Sequence, residues 1–225
     1  MTPKLFIVPT PIGNLGDITL RALDVLKSVD TILCEDSRQS FKLLQHYDIF
    51  KPLQPLHKMN EYKEVERLVQ QIQGGKSFAL ISDAGTPVIS DPGNLLIEKC
   101  LEYGIQIDCL PGATAFVPAL VNSGSDLSSF VFLGFPPHKK GRQTFIKSIL
   151  AEPKTVVIYE SPYRIVRFLQ EFVDLGGGDR PISISREITK KFEETIRGYA
   201  TELLVHFAKK EPIGEFVVVI KNIAK

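Results

Sequence analysis

The chain has 225 residues, 44% of them hydrophobic, and a net charge of +1 at neutral pH. That length suits one large domain or two small ones with a sizeable core, and near-neutrality excludes a global attraction to nucleic acid, so any such contact must come from a local patch. No apolar run approaches the roughly 20 residues of a membrane helix, the start lacks the pattern of a signal peptide, and three cysteines without C-x-x-C spacing (Cys34, Cys100, Cys109) indicate a reducing compartment, most simply the cytoplasm.

Strand and helix signals alternate from the start, which predicts an α/β fold with a mostly parallel sheet. Residues 5–8 read as a strand, and loop 9–17 leads to a helix near 19–27. A strand at 31–34 ends in Glu35-Asp36-Ser37-Arg38 and is followed by a helix around 39–46. Residues 60–73 form an amphipathic helix with Val65, Leu68, Val69 and Ile72 as its apolar stripe. The run 78–81 is a buried strand, 94–101 a helix, 105–110 a strand and 113–121 a helix. The small polar run 122–126 marks the expected boundary, giving domains 1–122 and 123–225. Beyond it come strands at 130–133, 155–159, 182–185, 192–196 and 216–220, with helices at 143–150, 164–173 and 201–208 and a glycine turn at 176–178. Several of these strands lie close together without long helices between them, so the second sheet is expected to be mixed.

The stretch 82–93, Ser-Asp-Ala-Gly-Thr-Pro-Val-Ile-Ser-Asp-Pro-Gly, is the most informative. It joins the carboxyl end of a strand to a helix, where open α/β sheets place their ligands. Gly85 allows close backbone approach, and Pro87 and Pro92 stiffen the loop. Asp91 reads as an N-cap with Pro92 at the first helical position, while Asp83 suits either turn duty or ligand contact. Loops 9–17, 35–38, 82–93 and 111–115 all follow first-half strands, so in a parallel sheet they converge on one crevice facing the second half.

Familiar short motifs fail. Gly75-Lys76-Ser77 lacks the upstream glycine of a phosphate loop and precedes a strand, and Gly13-Asn14-Leu15-Gly16 is not a dinucleotide fingerprint. No G-x-S-x-G elbow is present. The histidines (His46, His57, His138, His206) show no metal spacing, so no metal is expected.

Taken together, Pro9–Asp17, Glu35–Arg38, Ser82–Gly93, Tyr159-Glu160-Ser161-Pro162-Tyr163-Arg164 and Gly214-Glu215-Phe216-Val217 resemble the ribosomal small subunit methyltransferase I family. These are bacterial 16S rRNA cytidine-1402 2′-O-methyltransferases of the tetrapyrrole methylase superfamily. Ser37 stands where the family pattern has Thr, and the chain ends at Lys225 where many members continue. The resemblance implies a two-domain tetrapyrrole-methylase-like fold, S-adenosylmethionine in an interdomain cleft, S-adenosylhomocysteine as product, and a homodimer. It carries Pro11 and Gly13 over as cofactor contacts of the first loop, and Asp83, Ala84, Gly85, Ile89 and Ser90 as the wall of the long one. Thr114 and Ala115 match the contact pair after the Pro-Gly turn. Tyr159, Glu160, Ile213 and Gly214 are the contacts from the second domain.

A ribose hydroxyl benefits from a base or a nearby positive charge. The candidates are Asp36, Arg38, Glu160 and Arg186, with Asp36, Arg38 and Glu160 the catalytic expectation and Glu35–Arg38 the first choice for substrate contact. His57 and Asn60 are further cleft candidates, although Asn60 also reads as a plain helix cap. The dense basic cluster at 138–142 makes Lys139, Lys140 and Arg142 the expected contacts to small-subunit RNA. Two rival functions are a C-methyltransferase acting on a tetrapyrrole and a non-enzymatic RNA-binding module.

Overall fold

The computed structural model describes residues 4–209 and 212–221 and divides into two units, Met1–Thr114 and Ala115–Lys225. The first unit runs β1 (Lys4–Ile7), α1 (Leu20–Ser28), β2 (Thr31–Cys34), α2 (Ser37–His46), β3 (Leu53–Pro55), α3 (Glu61–Gln73), β4 (Phe78–Leu80), α4 (Asn94–Glu102) and β5 (Gln106–Cys109). Its five strands are all parallel in the order β3-β2-β4-β1-β5. Strands covered on both faces have no polar side to show, which is why they read as unbroken apolar runs. Leu5, Ile7, Leu33, Phe78 and Leu80 pack with α3 and α4 on one face. Val8, Ile32, Cys34, Ala79 and Ile81 pack with α1 and α2 on the other. The chain leaving β4 therefore heads for the opposite face from the chains leaving its neighbours β1 and β2. Such a reversal opens a crevice at the carboxyl edge of a parallel sheet. The edge strand β3 escapes sequence reading because Leu-Gln-Pro is short and has neither alternation nor an apolar run.

The second unit contains α5 (Phe116–Ser123), β6 (Phe130–Phe132), α6 (Arg142–Ala151), β7 (Thr155–Glu160), α7 (Ile165–Phe172), β8 (Pro181–Arg186), β9 (Glu194–Tyr199), α8 (Ala200–Ala208) and β10 (Phe216–Ile220). Its sheet has the order β6-β7-β10-β8-β9 and is mixed: β6 and β7 are parallel and the other pairs antiparallel. The division falls before α5, earlier than the polar run at 122–126 suggests. Ala119, Leu120 and Ser123 are buried, and α5 packs on β7, β8, β9 and β10, so the helix belongs to the second core. Residues 173–177 carry α7 into a wider turn that kinks at Gly176, where φ is +97°, and the chain turns on through Gly178. A side chain at Gly177 would run into the Phe172 ring, so the continuation needs glycine there. Among the described residues no helix is long and apolar enough to cross a membrane.

Candidate functional site

At the carboxyl edge of the first sheet the loops after β1 and β4 are joined to each other. Thr10 N–H donates to Gly85 O at 2.9 Å, and Gly85 N–H returns the bond to Thr10 O at 3.0 Å. The Thr10 hydroxyl donates to Ser82 O at 3.1 Å, and the Ser82 hydroxyl reaches Gly85 O at 3.1 Å. Gly85 has φ +81°, and a Cβ there would lie 3.3 Å from Ile12 Cγ2 and 3.6 Å from Ala113 O. This glycine is thus required both by its left-handed backbone and by the close approach of two neighbouring loops. The Thr86 hydroxyl completes the join by donating to Ala113 O at 3.0 Å, and it stands 2.6 Å from the Thr114 hydroxyl. Three of the loops expected to converge are therefore hydrogen-bonded into one piece.

The loop after β2 meets the same edge through Asp36, whose N–H donates to Asp83 Oδ1 at 3.3 Å. Asp36 also caps α2, accepting from Arg38 N–H at 2.8 Å, and pairs with the Arg38 guanidinium at 2.8 Å. The Arg38 side chain hydrogen bonds hold the Asp36 carboxyl down at about 2, which makes it a feeble proton acceptor. Arg38 itself lies 88% exposed, its guanidinium oriented by Asp36.

Asp83 and Asp91 behave in the opposite way. Burial pushes the Asp83 carboxyl up, with the charge of Asp36 adding to the rise. Asp91 is pushed up to about 6 by burial and by Glu35, with Asp83 assisting and Lys58 and the Ser82 hydroxyl opposing. This edge therefore gathers carboxylates in excess of the cations beside them. Nor is Asp91 the cap that its sequence suggests. Gly93 holds that position at φ +121°, and a Cβ on it would fall 2.5 Å from Leu80 Cδ2. The capping carboxylate comes instead from α3: Glu61 Oε1 accepts from the N–H groups of Gly93, Leu95 and Leu96. Asn60 likewise makes no cap bond. Its amide accepts from His57 N–H at 2.8 Å and donates to Pro55 O at 3.0 Å, shaping the turn after β3. Pro11 is buried, Gly13, Ala84 and Ile89 are exposed, and Ser90 adopts φ +73°.

In the second unit Tyr159 and Glu160 end β7, and Ile213 and Gly214 precede β10, whose Phe216 is paired with Glu160. Arg186 closes β8 opposite the same Phe216, donating to Glu194 Oε2 at 2.7 Å and to Ile213 O at 3.4 Å. These expected contacts thus share one end of the second sheet. Tyr159 packs against Phe132 and Phe135, at ring separations of 5.0 and 5.4 Å. Glu160 is 1% exposed. It pairs with Arg164 at 3.0 Å and Arg142 at 3.5 Å and accepts from Ser161 N–H at 2.8 Å. Burial still holds its carboxyl above the usual range, with both arginines working against the rise. Glu160 is thus walled in by two guanidinium groups and shielded from solvent.

Arg142 does not take the exposed position expected of it. It is 2% exposed, with Nε 2.5 Å from Glu171 Oε2 and Nη1 3.2 Å from Pro137 O, so it is unavailable to RNA. Lys139 and Lys140 are exposed and remain the accessible part of the basic run. Among the described residues no cluster of three or more His, Cys, Asp or Glu could hold a metal ion.

The model of the tetrapyrrole (corrin/porphyrin) methylase family matches residues 4–204. Ribosomal RNA small subunit methyltransferase I of Thermotoga maritima is 45% identical over 97% of this chain and 98% of its own length. The proteins of the same name from Vibrio cholerae and Escherichia coli O157:H7 are 46% and 44% identical over 97% of this chain, and the matches span 77% and 78% of their own lengths. Of the solved structures, diphthine synthase superposes with a TM-score of 0.76 at 13% identity, over 97% of this chain and 90% of that one. Cobalt precorrin-4 methyltransferase superposes with a TM-score of 0.70 at 17% identity, over 98% and 95%. At such identities the likeness is one of fold.

Proposed function

The chain belongs to the ribosomal RNA small subunit methyltransferase I family and to the tetrapyrrole methylases, and from that premise we propose that it methylates the ribose 2′-oxygen of cytidine 1402 in 16S rRNA, with S-adenosylmethionine as donor. The observation that carries the reading is the Thr10–Gly85 pair. It fuses the loops after β1 and β4 at the sheet's point of reversal, beside Asp83 and Asp91, whose carboxyls are both pushed above the usual range.

The residues of this edge fit that cofactor. Its sulfonium and ammonium give it two positive charges against one carboxylate, and Asp83 and Asp91 provide the complementary field. Gly85 and Ala84 leave room for a flat ring to approach the backbone. When bound, the cofactor supplies a methyl group on a positively charged sulfur, and in-line transfer from it depends chiefly on alignment. The chain's part is then to fix the angle of approach. The fused loops 9–17, 82–93 and 111–115 supply a rigid wall, and Arg38 offers an exposed guanidinium to a substrate phosphate. Lys139 and Lys140 supply the phosphate contacts of the second unit. Homodimer assembly and residence in the cytoplasm belong to the same reading, supported by the resemblance and by cysteines that form no disulfide.

Calorimetry with S-adenosylhomocysteine tests the cofactor, and tritiated donor offered with small ribosomal subunits or with a porphyrinogen tests the acceptor. Binding that weakens by about tenfold or more in Asp83→Ala, with label only in the RNA, is the expected result. Unchanged affinity in that variant removes Asp83 from the site, and label in the porphyrinogen replaces the substrate.

A further inference from the structure

We infer that Glu61, a residue of α3 outside the contacts assigned above, is the positioning residue of the 82–93 loop and thereby governs how tightly that loop holds the methyl donor. The inference rests on the cofactor reading just given.

The loop is conformationally unfavourable. Val88 and Ser90 both stand in the left-handed region, at φ +74° and +73°, where a β-branched residue is a true outlier. Such a backbone persists only when its surroundings hold it at both ends. The near end is fixed by β4, by the Thr10–Gly85 pair and by the Ser82 hydroxyl. At the far end, the first N–H groups of α4 have no partner within the helix. Gly93 has no side chain to offer them, and Leu80 leaves no space for one. All three converge on a single oxygen, Glu61 Oε1, at 3.1 Å from Gly93 N, 3.0 Å from Leu95 N and 3.3 Å from Leu96 N. The negative charge also faces the positive end of the α4 dipole. One further tie comes from the same segment, the Lys58 ammonium donating to Ser90 O at 3.5 Å.

The start of α3 is itself held by the Asn60 amide, which bridges His57 N–H and Pro55 O, so Glu61 is presented from a fixed turn. Without its carboxylate the strained loop is secured firmly at one end only. Val88 and Ser90 can then relax, and Ile89 and Ser90 move away from the places where the cofactor would meet them.

The test compares the parent with E61A, E61Q and L68A by calorimetry with S-adenosylhomocysteine, by steady-state kinetics on small subunits, and by amide exchange. Leu68 is fully buried in the core of α3 and serves as the control for simple loss of stability. Losing the carboxylate in E61A is expected to raise the Kd at least about tenfold and the KM for the donor in parallel, with kcat at saturating donor within about twofold of the parent. Exchange at Gly93, Leu95 and Leu96 accelerates in the same variant. E61Q, which keeps an oxygen acceptor without the charge, falls between the two, and L68A loses thermal stability with no change in Kd. Parent-like affinity in E61A overturns the inference, as does an equal loss in L68A. Should E61A fail to fold, E61Q decides, and parent-like affinity in it overturns the inference. A parent chain without affinity for S-adenosylhomocysteine overturns the cofactor reading instead.

Discussion

Carboxylates serve opposite purposes at the ends of the two sheets. At the edge of the first, Glu35, Asp36, Asp83 and Asp91 are gathered half in water, and Asp83 and Asp91 hold protons more tightly than carboxyls usually do. At the end of the second, Glu160 is sealed away with Arg142 and Arg164, and Glu171 takes the other side of Arg142. A buried charge must be matched inside the protein, since water cannot reach it. An exposed cluster left without enough cations is stable only because water screens it, and it is open to a positively charged ligand. The Glu160 knot therefore holds the second unit together, while the acidic edge of the first is the surface we propose for binding.

Breaking the knot should give the largest effect. Arg142→Ala strips the buried Glu160 of one of its two cations, leaving Arg164 alone, and takes from Glu171 its closest partner. Breaking a buried pair costs about 3–5 kcal/mol, and with Arg164 still in place the loss in denaturant unfolding should be about 3 kcal/mol. Asp83→Ala on the open edge should stay within about 0.5 kcal/mol of the parent, even though it weakens cofactor binding. Equal losses in the two variants would erase the distinction.

The sequence showed much of this arrangement and concealed one kind of relation. Strands β1, β2 and β4 were legible because a parallel sheet covered on both faces admits only apolar runs. The Gly- and Pro-dense loops were legible because such backbones demand those residues. Arg142, by contrast, is indistinguishable from Lys139 and Lys140 in a row of cations, and only the fold turns it inward onto Glu160. Glu61 is, by position, one of two acids in the first turn of a helix. Its partners lie 32 to 35 residues further along the chain, beyond the reach of any local pattern. Asp91 read as a cap because an acid before Pro and Gly usually is one, but Gly93 and Glu61 had taken that work. Spacing reports what the chain does locally, and these three side chains answer to tertiary neighbours.

Of the basic run, the accessible lysines carry the next largest effect. Lys139→Ala/Lys140→Ala should lower kcat/KM on small subunits by about tenfold and flatten its dependence on salt by about one power per lost phosphate contact. Affinity for S-adenosylhomocysteine should not change. If salt dependence stays at the parent's value, the second unit presents no RNA contact at this loop, and its charge serves structure alone.

The smallest effect sharpens the contrast within the acidic edge itself. Unfolded, Asp91 titrates near 3.9; folded, it titrates at about 6, because burial and the charge of Glu35 disfavour the ionised form. Since the folded state binds the proton more tightly, the resulting stability is complete below about pH 4 and is lost as pH rises through about 6. Raising a carboxyl from about 4 to about 6 is worth about 3 kcal/mol in full, and solvent screening of a half-exposed group reduces this to about 1 kcal/mol. Asp91→Asn should therefore raise the Tm at pH 7.5 and lose that advantage at pH 4. Asp36→Asn should instead lower the Tm at pH 7.5, with the deficit persisting at pH 4 and closing only as pH falls toward 2. The Asp36 carboxyl is held at about 2 by Arg38, so its contribution is present above about pH 4 and disappears as pH falls toward 2. Two carboxylates of one edge with opposite pH slopes would separate an acid fixed by its own arginine from one in which burial and Glu35 outweigh the nearby Lys58. If both variants respond to pH with the same sign, Asp91 is a satisfied carboxylate like Asp36, and the charge deficit assigned to this edge does not exist.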